Sequence, residues 1–340
     1  MASQAVSFNG LLSENANSNH TQAKVPSAFS VMVRKDVGDI VHSWRFIILS
    51  ILILLTFIGS MYVSMSNIAK AVSQERNVNN LFVYLKLLTT SDGSMPTFHV
   101  FISFLGPLLG IALGFDAVNS EQANGTLIRL MAQPVYRDNI LLSKFASALI
   151  VVAALFLSLC MLMVGAGMLE TGVPIEPSEI VRILFFVLLT VLYVGFWLTL
   201  SIFFSLRFRQ TSTSALAAIA VWLFFTVFYP IILQIIAKAV LPDPATLSQD
   251  EMAYYNSLIM GFLKFIPNQL YTDAATTLLM PSVRSLGTLT MEQIKGAVPS
   301  PLSTRDSIMI VWPQISGLLA CTILCFAWSY STFMRREIRN

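Results

Sequence analysis

The chain has 340 residues, of which 55% are hydrophobic and only 11% are charged. Soluble domains typically carry about 25% charged residues, so this composition excludes an ordinary water-soluble globule. A formal net charge of +3 gives no basis for a nucleic-acid-binding surface, which needs a basic patch. The composition therefore predicts an all-α integral membrane protein that lies among membrane lipids and does not bind nucleic acid.

The N-terminal part of the chain is predicted to lie outside the membrane. Residues 1–26 are polar and hold no apolar stretch, so we expect a disordered cytosolic tail and no cleavable signal peptide. Residues 27–45 combine apolar and charged side chains at helical spacing, with Arg34 and Lys35 on the charged face. This pattern predicts an amphipathic helix that lies along the membrane surface. The alternative is a cytosolic extension of the first span.

Six uncharged runs approach the length of about 20 residues that a membrane-spanning helix needs. Basic residues are more frequent in the loops on the N-terminal side, so the positive-inside rule places both termini in the cytosol. We therefore expect residues 46–340 to form a six-span, multi-pass domain in the plasma (inner) membrane of a prokaryote. The span cores contain no Asp, Glu, Lys or Arg, and they are Phe46–Ser66, Phe98–Phe115, Phe145–Leu169, Ile183–Leu206, Ser214–Ala237 and Ile308–Phe333.

The second span carries three glycines, Gly106, Gly110 and Gly114, each one helical turn after the last. Glycines at this spacing let a neighbouring helix approach backbone to backbone, so they predict a helix-packing ridge. Pro107 lies beside the ridge, and we expect it to bend the span or to break it into two pieces.

The segment 116–144, between the second and third spans, is densely charged. Each ionised side chain would cost at least about 2.5–3.5 kcal/mol in the bilayer core, so the segment must lie in water. We expect a short helix with Leu127 and Leu130 on one apolar face, with Gly125 allowing close approach and Pro134 ending the helix. Such a helix is suited to docking in a groove of another subunit. The alternative is a solvated loop whose charges only set the topology.

Aromatic side chains are frequent in the fourth and fifth spans. They could line a path for an amphipathic substrate, although such residues more often face lipid or pack between helices. The candidates for a substrate path are Tyr193, Trp197, Trp222, Phe225 and Tyr229.

The loop 238–307, between the fifth and sixth spans, is too long for a simple turn. Its apolar run near 254–266 predicts one or two short external helices, with a re-entrant segment as the alternative, because about 13 residues are too few to span a bilayer. The loop could also serve as a docking surface for an envelope protein.

The sequence contains no pattern typical of a catalytic centre. Its three histidines are scattered, and it has no phosphate-binding loop and no hydrolase signature. We therefore expect no metal site, no cofactor bound by this chain and no enzymatic activity of the chain by itself.

The order of residues in the charged segment resembles the signature of ABC-2 type permeases, the membrane subunits of one class of ABC exporters. In that family an acidic residue ends the second span, followed by E-x-x-x-G-T-L, by P-[VI]-x-R and by a lysine that opens the third span. The resemblance covers roughly residues 28–340 and includes the helix before the first span. The matching residues are Asp116, Glu121, Gly125, Thr126, Leu127, Pro134, Val135, Arg137 and Lys144.

The resemblance implies a dimer of permeases, formed with a second copy or a paralogue, that works with two separate ATP-binding cassette subunits. ATP and Mg²⁺ would bind to those subunits. The resemblance also implies which residues couple the chain to the ATPase: Asp116, Glu121, Gly125, Thr126, Leu127, Leu130, Arg137 and Lys144, with Arg34 and Lys35 of the surface helix.

Two functions remain open at this point. The first is export of an amphipathic or hydrophobic substrate by alternating access. The second is a membrane anchor or mechanotransmission subunit that does not transport and instead couples an ATPase to an envelope partner.

Overall fold

A computed structural model describes residues 27–74, 82–90, 96–126, 136–172, 174–240, 249–281 and 302–335. Within these ranges every regular element is a helix, so the prediction of an all-α fold is confirmed. The predicted tail, residues 1–26, lies outside the described residues.

Twelve α-helices and one π-helical turn, Phe224–Phe228, are described in these ranges. The π turn joins α8 to α9 within one continuous helical rod. The α-helices are α1 Ala28–Val41, α2 Trp44–Gln74, α3 Val83–Thr89, α4 Phe98–Gly114, α5 Asn119–Ala123, α6 Arg137–Thr171, α7 Pro177–Arg207, α8 Thr211–Leu223, α9 Tyr229–Val240, α10 Gln249–Leu263, α11 Pro267–Leu279 and α12 Thr304–Arg335.

Six helical segments are long and apolar enough to cross a membrane, which confirms the predicted number and order of spans. We call the end of the bundle where span one begins the α1 end, and the opposite end the α3 end. The chain is a multi-pass membrane protein whose spans are Trp44–Asn67, Phe98–Ala123, Arg137–Thr171, Pro177–Arg207, Thr211–Ala239 and Thr304–Arg335.

Span four, helix α7, is the central helix of the chain. It packs against α4, α6, α8, α11 and α12. In its most apolar stretch 67% of the residues are buried inside the chain, against 6% for span five. Span four is therefore surrounded by protein, and span five lies at the edge of the bundle.

The glycine ridge of α4 lies against the backbone of α7. A β-carbon at Gly110 would stand 2.6 Å from the carbonyl oxygen of Val194, and one at Gly114 would stand 2.8 Å from that of Leu198. No side chain fits in such a gap, so the two backbones are in direct contact. Helix α4 continues through Pro107 without a break.

The helix before the first span is a separate helix and does not extend that span. It ends at Val41, and α2 begins at Trp44. The Ser43 hydroxyl accepts a hydrogen bond from Phe46 N at 3.3 Å and donates one to Ile40 O at 2.7 Å, which supports both helix ends. Helix α1 packs along α6, while Arg34 and Lys35 are exposed.

Two short helices are buried at the α3 end. The residues Tyr84, Leu85 and Leu88 of α3 and Tyr271 and Leu278 of α11 are at most 1% exposed. Helix α11 packs against α7 and α12, and α3 packs against α2 and α6. Helices α10 and α11 lie in the loop between spans five and six, where short helices are predicted, whereas the sequence analysis missed α3.

Replacing Gly110 by alanine is expected to destabilise the bundle, because the new methyl group would meet the α7 backbone. Overpacking of this kind costs about 1–3 kcal/mol. Gly165→Ala is the matched control, since a β-carbon there would meet no atom of another described helix within 4 Å. Thermal unfolding in detergent micelles should show a lower Tm for Gly110→Ala than for the control. Equal Tm values would show that the contact between α4 and α7 accommodates the added methyl group without loss of stability.

Candidate functional site

A polar cavity of about 230 Å³ lies at the α1 end, between α1, the start of α2, the end of α4 and the start of α6. Most of the bundle surface is apolar. Charged side chains in such surroundings are stable when each is paired with an opposite charge or a hydrogen-bond partner. The charged residues that line it are Asp36, Asp39, Arg45, Asp116, Glu121 and Lys144.

The first ion pair joins span one to span two. Arg45, the second residue of α2, places Nη2 2.6 Å from Oδ2 of Asp116, two residues after α4. The same guanidinium lies 4.8 Å from the centre of the Phe115 ring. A planar guanidinium can pair with a carboxylate and contact an aromatic ring at once, so Arg45 holds the end of α4 through two neighbouring residues.

The second ion pair joins α5 to span three. Lys144 Nζ lies 2.7 Å from Glu121 Oε1, and the two side chains are only 14% and 17% exposed. At this burial the attraction is screened less by water and salt than in a surface pair. The second oxygen of the carboxylate, Oε2, is buried and has no hydrogen-bond partner in the part of the chain that the structure describes.

A third connection joins the same segment to span four. The hydroxyl oxygen of Ser205, near the end of α7, accepts hydrogen bonds from Val118 N at 3.0 Å and from Asn119 N at 3.1 Å. Ser205 is fully buried. These two N–H groups lie at the start of α5, where no carbonyl within the helix can reach them. Segment 116–121 is thus bonded to three spans.

Helix α1 contributes Asp36 to the cavity. The Ser143 hydroxyl of α6 donates a hydrogen bond to Asp36 Oδ2 at 3.1 Å. Burial raises the pKa of Asp36 above its ordinary value of 3.8, although Lys144 and the Ser143 hydrogen bond partly offset the rise. Asp39, one turn later, is exposed and lies 3.8 Å from Lys35.

The structure brings together three of the predicted coupling residues, Asp116, Glu121 and Lys144. Arg137 is exposed at the first position of α6 and is not among the residues that line the cavity. Thr126 donates through its hydroxyl to Glu121 O at 3.1 Å. Leu127 and Leu130 lie outside the described residues.

Gly125 has a conformational role in the chain. Its φ of +67° lies in the left-handed region, where a glycine costs least. Apart from the residues adjacent to Gly125, no described residue has an atom within 4 Å of the position of a β-carbon there. Close approach, which the sequence analysis expected at Gly125, is therefore not seen among the described residues.

Four residues of this site are not among those predicted from the sequence: Arg45, Asp36, Ser143 and Ser205. Ser143 and Ser205 carry no signal in sequence, because a serine in a span usually bonds to its own helix. Asp36 belongs to the charged face of the helix 27–45, on which only the basic residues Arg34 and Lys35 are predicted coupling residues.

The five predicted path residues lie in two environments. Tyr193 and Trp197 of α7 are fully buried, and the Tyr193 ring stacks on that of Tyr271, with centroids 4.5 Å apart. The Tyr193 hydroxyl donates to Ser103 O at 2.8 Å. The other three, Trp222, Phe225 and Tyr229, are half-buried on span five.

Fold and site together define a multi-pass membrane protein in which one charged segment, at one end of the bundle, is bonded to several spans. The model of the family described as ABC-2 family transporter protein matches residues 31–338. The chain therefore belongs to the ABC-2 transporter family.

The chain is also similar to a protein described as probable ABC transporter permease protein NosY, from Stutzerimonas stutzeri. The two are 26% identical over 227 residues, which cover 65% of this chain and 75% of the relative. Family and relative support the same class, a membrane permease subunit of an ABC transporter. That class implies an ATP-binding subunit as a partner.

Breaking the pair between Lys144 and Glu121 is expected to cost about 1–3 kcal/mol of stability, between the values typical of exposed and buried pairs. A double-mutant cycle with Lys144→Met and Glu121→Gln, followed by denaturation in detergent, measures this coupling. The exposed pair Lys35 and Asp39 is the control and should give less than about 0.5 kcal/mol. Coupling no larger than in the control would show that the pair between Lys144 and Glu121 is solvated.

Asp36→Asn is expected to raise stability at neutral pH but not at acidic pH. Since the pKa of Asp36 is raised in the fold, its stabilising effect is complete below about pH 4 and is lost as pH rises through the folded pKa. The difference in Tm between Asp36→Asn and wild type should therefore grow from pH 4 to pH 7.5. Asp39→Asn, exposed on the same helix, is the control and should show no such growth.

Proposed function

We propose that the α1 end faces the cytosol of a prokaryote and receives a separate ATP-binding cassette subunit. In this proposal that subunit holds ATP and Mg²⁺, and the permease pairs with a second copy or a paralogue in the inner membrane. Helix α1 lies at the membrane surface among lipid headgroups. The chain itself hydrolyses nothing and converts the movement of its partner into movement of the spans.

One observation carries the proposal: segment 116–121 is bonded separately to spans one, three and four. The bonds are Arg45–Asp116, Lys144–Glu121 and the hydrogen bonds of Ser205. A solvated loop that only sets topology needs none of these connections. A subunit that pushes on α5 would move the ends of three helices together, which is what coupling requires.

In our proposal, the movement of the spans drives export of an amphipathic or hydrophobic substrate by alternating access. The half-buried Trp222, Phe225 and Tyr229 of span five offer an aromatic surface for such a substrate at the edge of the bundle. In a dimer this surface would line a path between the two copies.

A second function is favoured by the packing of span four. Tyr193 and Trp197 of α7 are fully buried, with Tyr193 packed between Gly106 of α4 and Tyr271 of α11 and Trp197 packed against Gly110. Such packing suits a subunit that passes force to an envelope partner and transports nothing. ATP hydrolysis stimulated by an amphipathic probe would support export. Stimulation that needs an envelope protein at the loop 238–307 would support force transmission.

The variant with both Glu121→Gln and Arg137→Ala is expected to uncouple ATP hydrolysis from transport. Both residues lie where the partner would dock. Arg137 is exposed, and Glu121→Gln keeps the size of the side chain while removing the charge that pairs with Lys144. The complex should still assemble with its ATP-binding subunit and hydrolyse ATP, but should no longer move NBD-labelled phosphatidylethanolamine across proteoliposome membranes.

Arg305→Met, an exposed change at the α3 end, is the control for this experiment. Movement of the probe by the double variant at the wild-type rate would contradict the coupling role. Absence of movement in the wild type as well would instead favour the second function.

A further inference from the structure

Two charged side chains are buried at the outer end of span four, outside the site described above. Glu179 is 2% exposed and Arg182 is 1% exposed. The sequence predicts that span four begins at Ile183, whereas the helix and its apolar segment begin at Pro177. Burying a charge within a span costs free energy, so a charged side chain found there is expected to have a specific structural or functional role.

Glu179 binds helix α3. Its Oε1 accepts a hydrogen bond from Tyr84 N at 3.0 Å, and Tyr84 is in the first turn of α3. A carboxylate at a helix N-terminus meets N–H groups that have no partner in their own helix. The other oxygen, Oε2, accepts from Glu176 N at 3.3 Å and so caps α7 itself.

Arg182 binds the end of α11 and the start of α12. Its guanidinium donates to Leu278 O at 3.1 Å, to Leu302 O at 2.6 Å and to the Ser307 hydroxyl at 2.9 Å. It also lies 5.8 Å from the centre of the Phe82 ring. Phe82 precedes α3 and has a φ of +62°, a conformation that a non-glycine residue keeps only when its surroundings hold it.

Neither charge neutralises the other. Within the described residues Glu179 and Arg182 form no ion pair, and each is hydrogen-bonded to a different helix. One turn of α7 thus holds α3 on one side and α11 with α12 on the other. At the opposite end of the same helix, Ser205 holds segment 116–121.

We infer that span four is a rigid connection between the two ends of the bundle, with Glu179 and Arg182 as the residues that position α3 and α11 on it. Helix α7 has 31 residues and is about 46 Å long. It has no interior proline at which it could bend. A displacement of segment 116–121 at the α1 end therefore reaches α3 and α11 at the other end.

This inference rests on the proposed function, since the displacement originates in the ATP-binding subunit. It adds that the α3 end moves with the nucleotide state even though no residue there touches that subunit. It also assigns the transfer to two side chains whose loss leaves the α1 end intact.

The test is hydrogen–deuterium exchange on the complete permease–ATPase complex in lipid nanodiscs, with and without Mg²⁺ and a non-hydrolysable ATP analogue. In the wild type, the nucleotide should change amide exchange both in residues 116–126 and in α3 and α11. In Arg182→Met and in Glu179→Gln, the change in residues 116–126 should persist, while the change in the helix each residue holds, α11 or α3, is lost.

Several variants distinguish a loss of the transfer of displacement along span four from a simple loss of structure. Arg182→Lys keeps the charge and should restore part of the response of α11, and Arg305→Met, an exposed arginine nearby, should leave every response intact. Ser205→Ala leaves the α3 end untouched but should weaken its response. Thr199→Val is the control for that change, because the Thr199 hydroxyl bonds only within α7.

The outcomes are distinct for the two proposals. A nucleotide response of α3 and α11 that survives in all three disrupting variants would overturn the inference. A wild-type response confined to residues 116–126 would overturn it as well, while the proposed function stands. If residues 116–126 themselves do not respond, the proposed coupling site is wrong and the inference fails with it.

Discussion

The architecture depends on one contact, the backbone-to-backbone packing of α4 against α7. Lipid tails are as apolar as leucine, so helices in a bilayer associate through close van der Waals contact and not through the hydrophobic effect. Gly110 and Gly114 allow that contact, since any side chain there would collide with Val194 and Leu198. Span two therefore cannot slide or rotate without taking span four along. The segment 116–121 follows α4 in the chain, so the packing of α4 against α7 fixes where this segment lies.

Three charged residues of the chain each join a different pair of elements. Arg45 joins span one to the end of span two, and Lys144 joins α5 to span three. Glu179 joins span four to α3. In a medium of low dielectric constant such contacts are strong and an unpaired partner is costly. The polar contacts thus specify how the ends of the spans fit together, while the apolar residues in between provide most of the contact area.

The features that could be predicted from the sequence are those that depend on a pattern within a short stretch of the chain. Hydropathy located six spans, and glycine spacing identified the ridge, because both signals repeat along a single helix. Asp116, Glu121 and Lys144 were found through their order in the chain. Helix α3 was missed because seven residues are too few to show a period. Ser205, with partners 86 and 87 residues away, and the pairing of Asp36 with Ser143 depend on tertiary packing that no local pattern encodes. The start of span four was predicted at Ile183, although the helix begins at Pro177. The prediction was too late because buried charges were not expected inside a span.

The buried arginine of span four also constrains the order in which the chain assembles during synthesis. The partner of Glu179, Tyr84, precedes it by 95 residues, so this carboxylate can be satisfied as soon as span four enters the membrane. The acceptors of Arg182 follow it by 96 to 125 residues and do not yet exist. Until they are made, the guanidinium must reach toward the headgroups and water at the membrane surface. Span four can therefore reach its final packing at the α3 end only after α11 and the beginning of α12 have been synthesised.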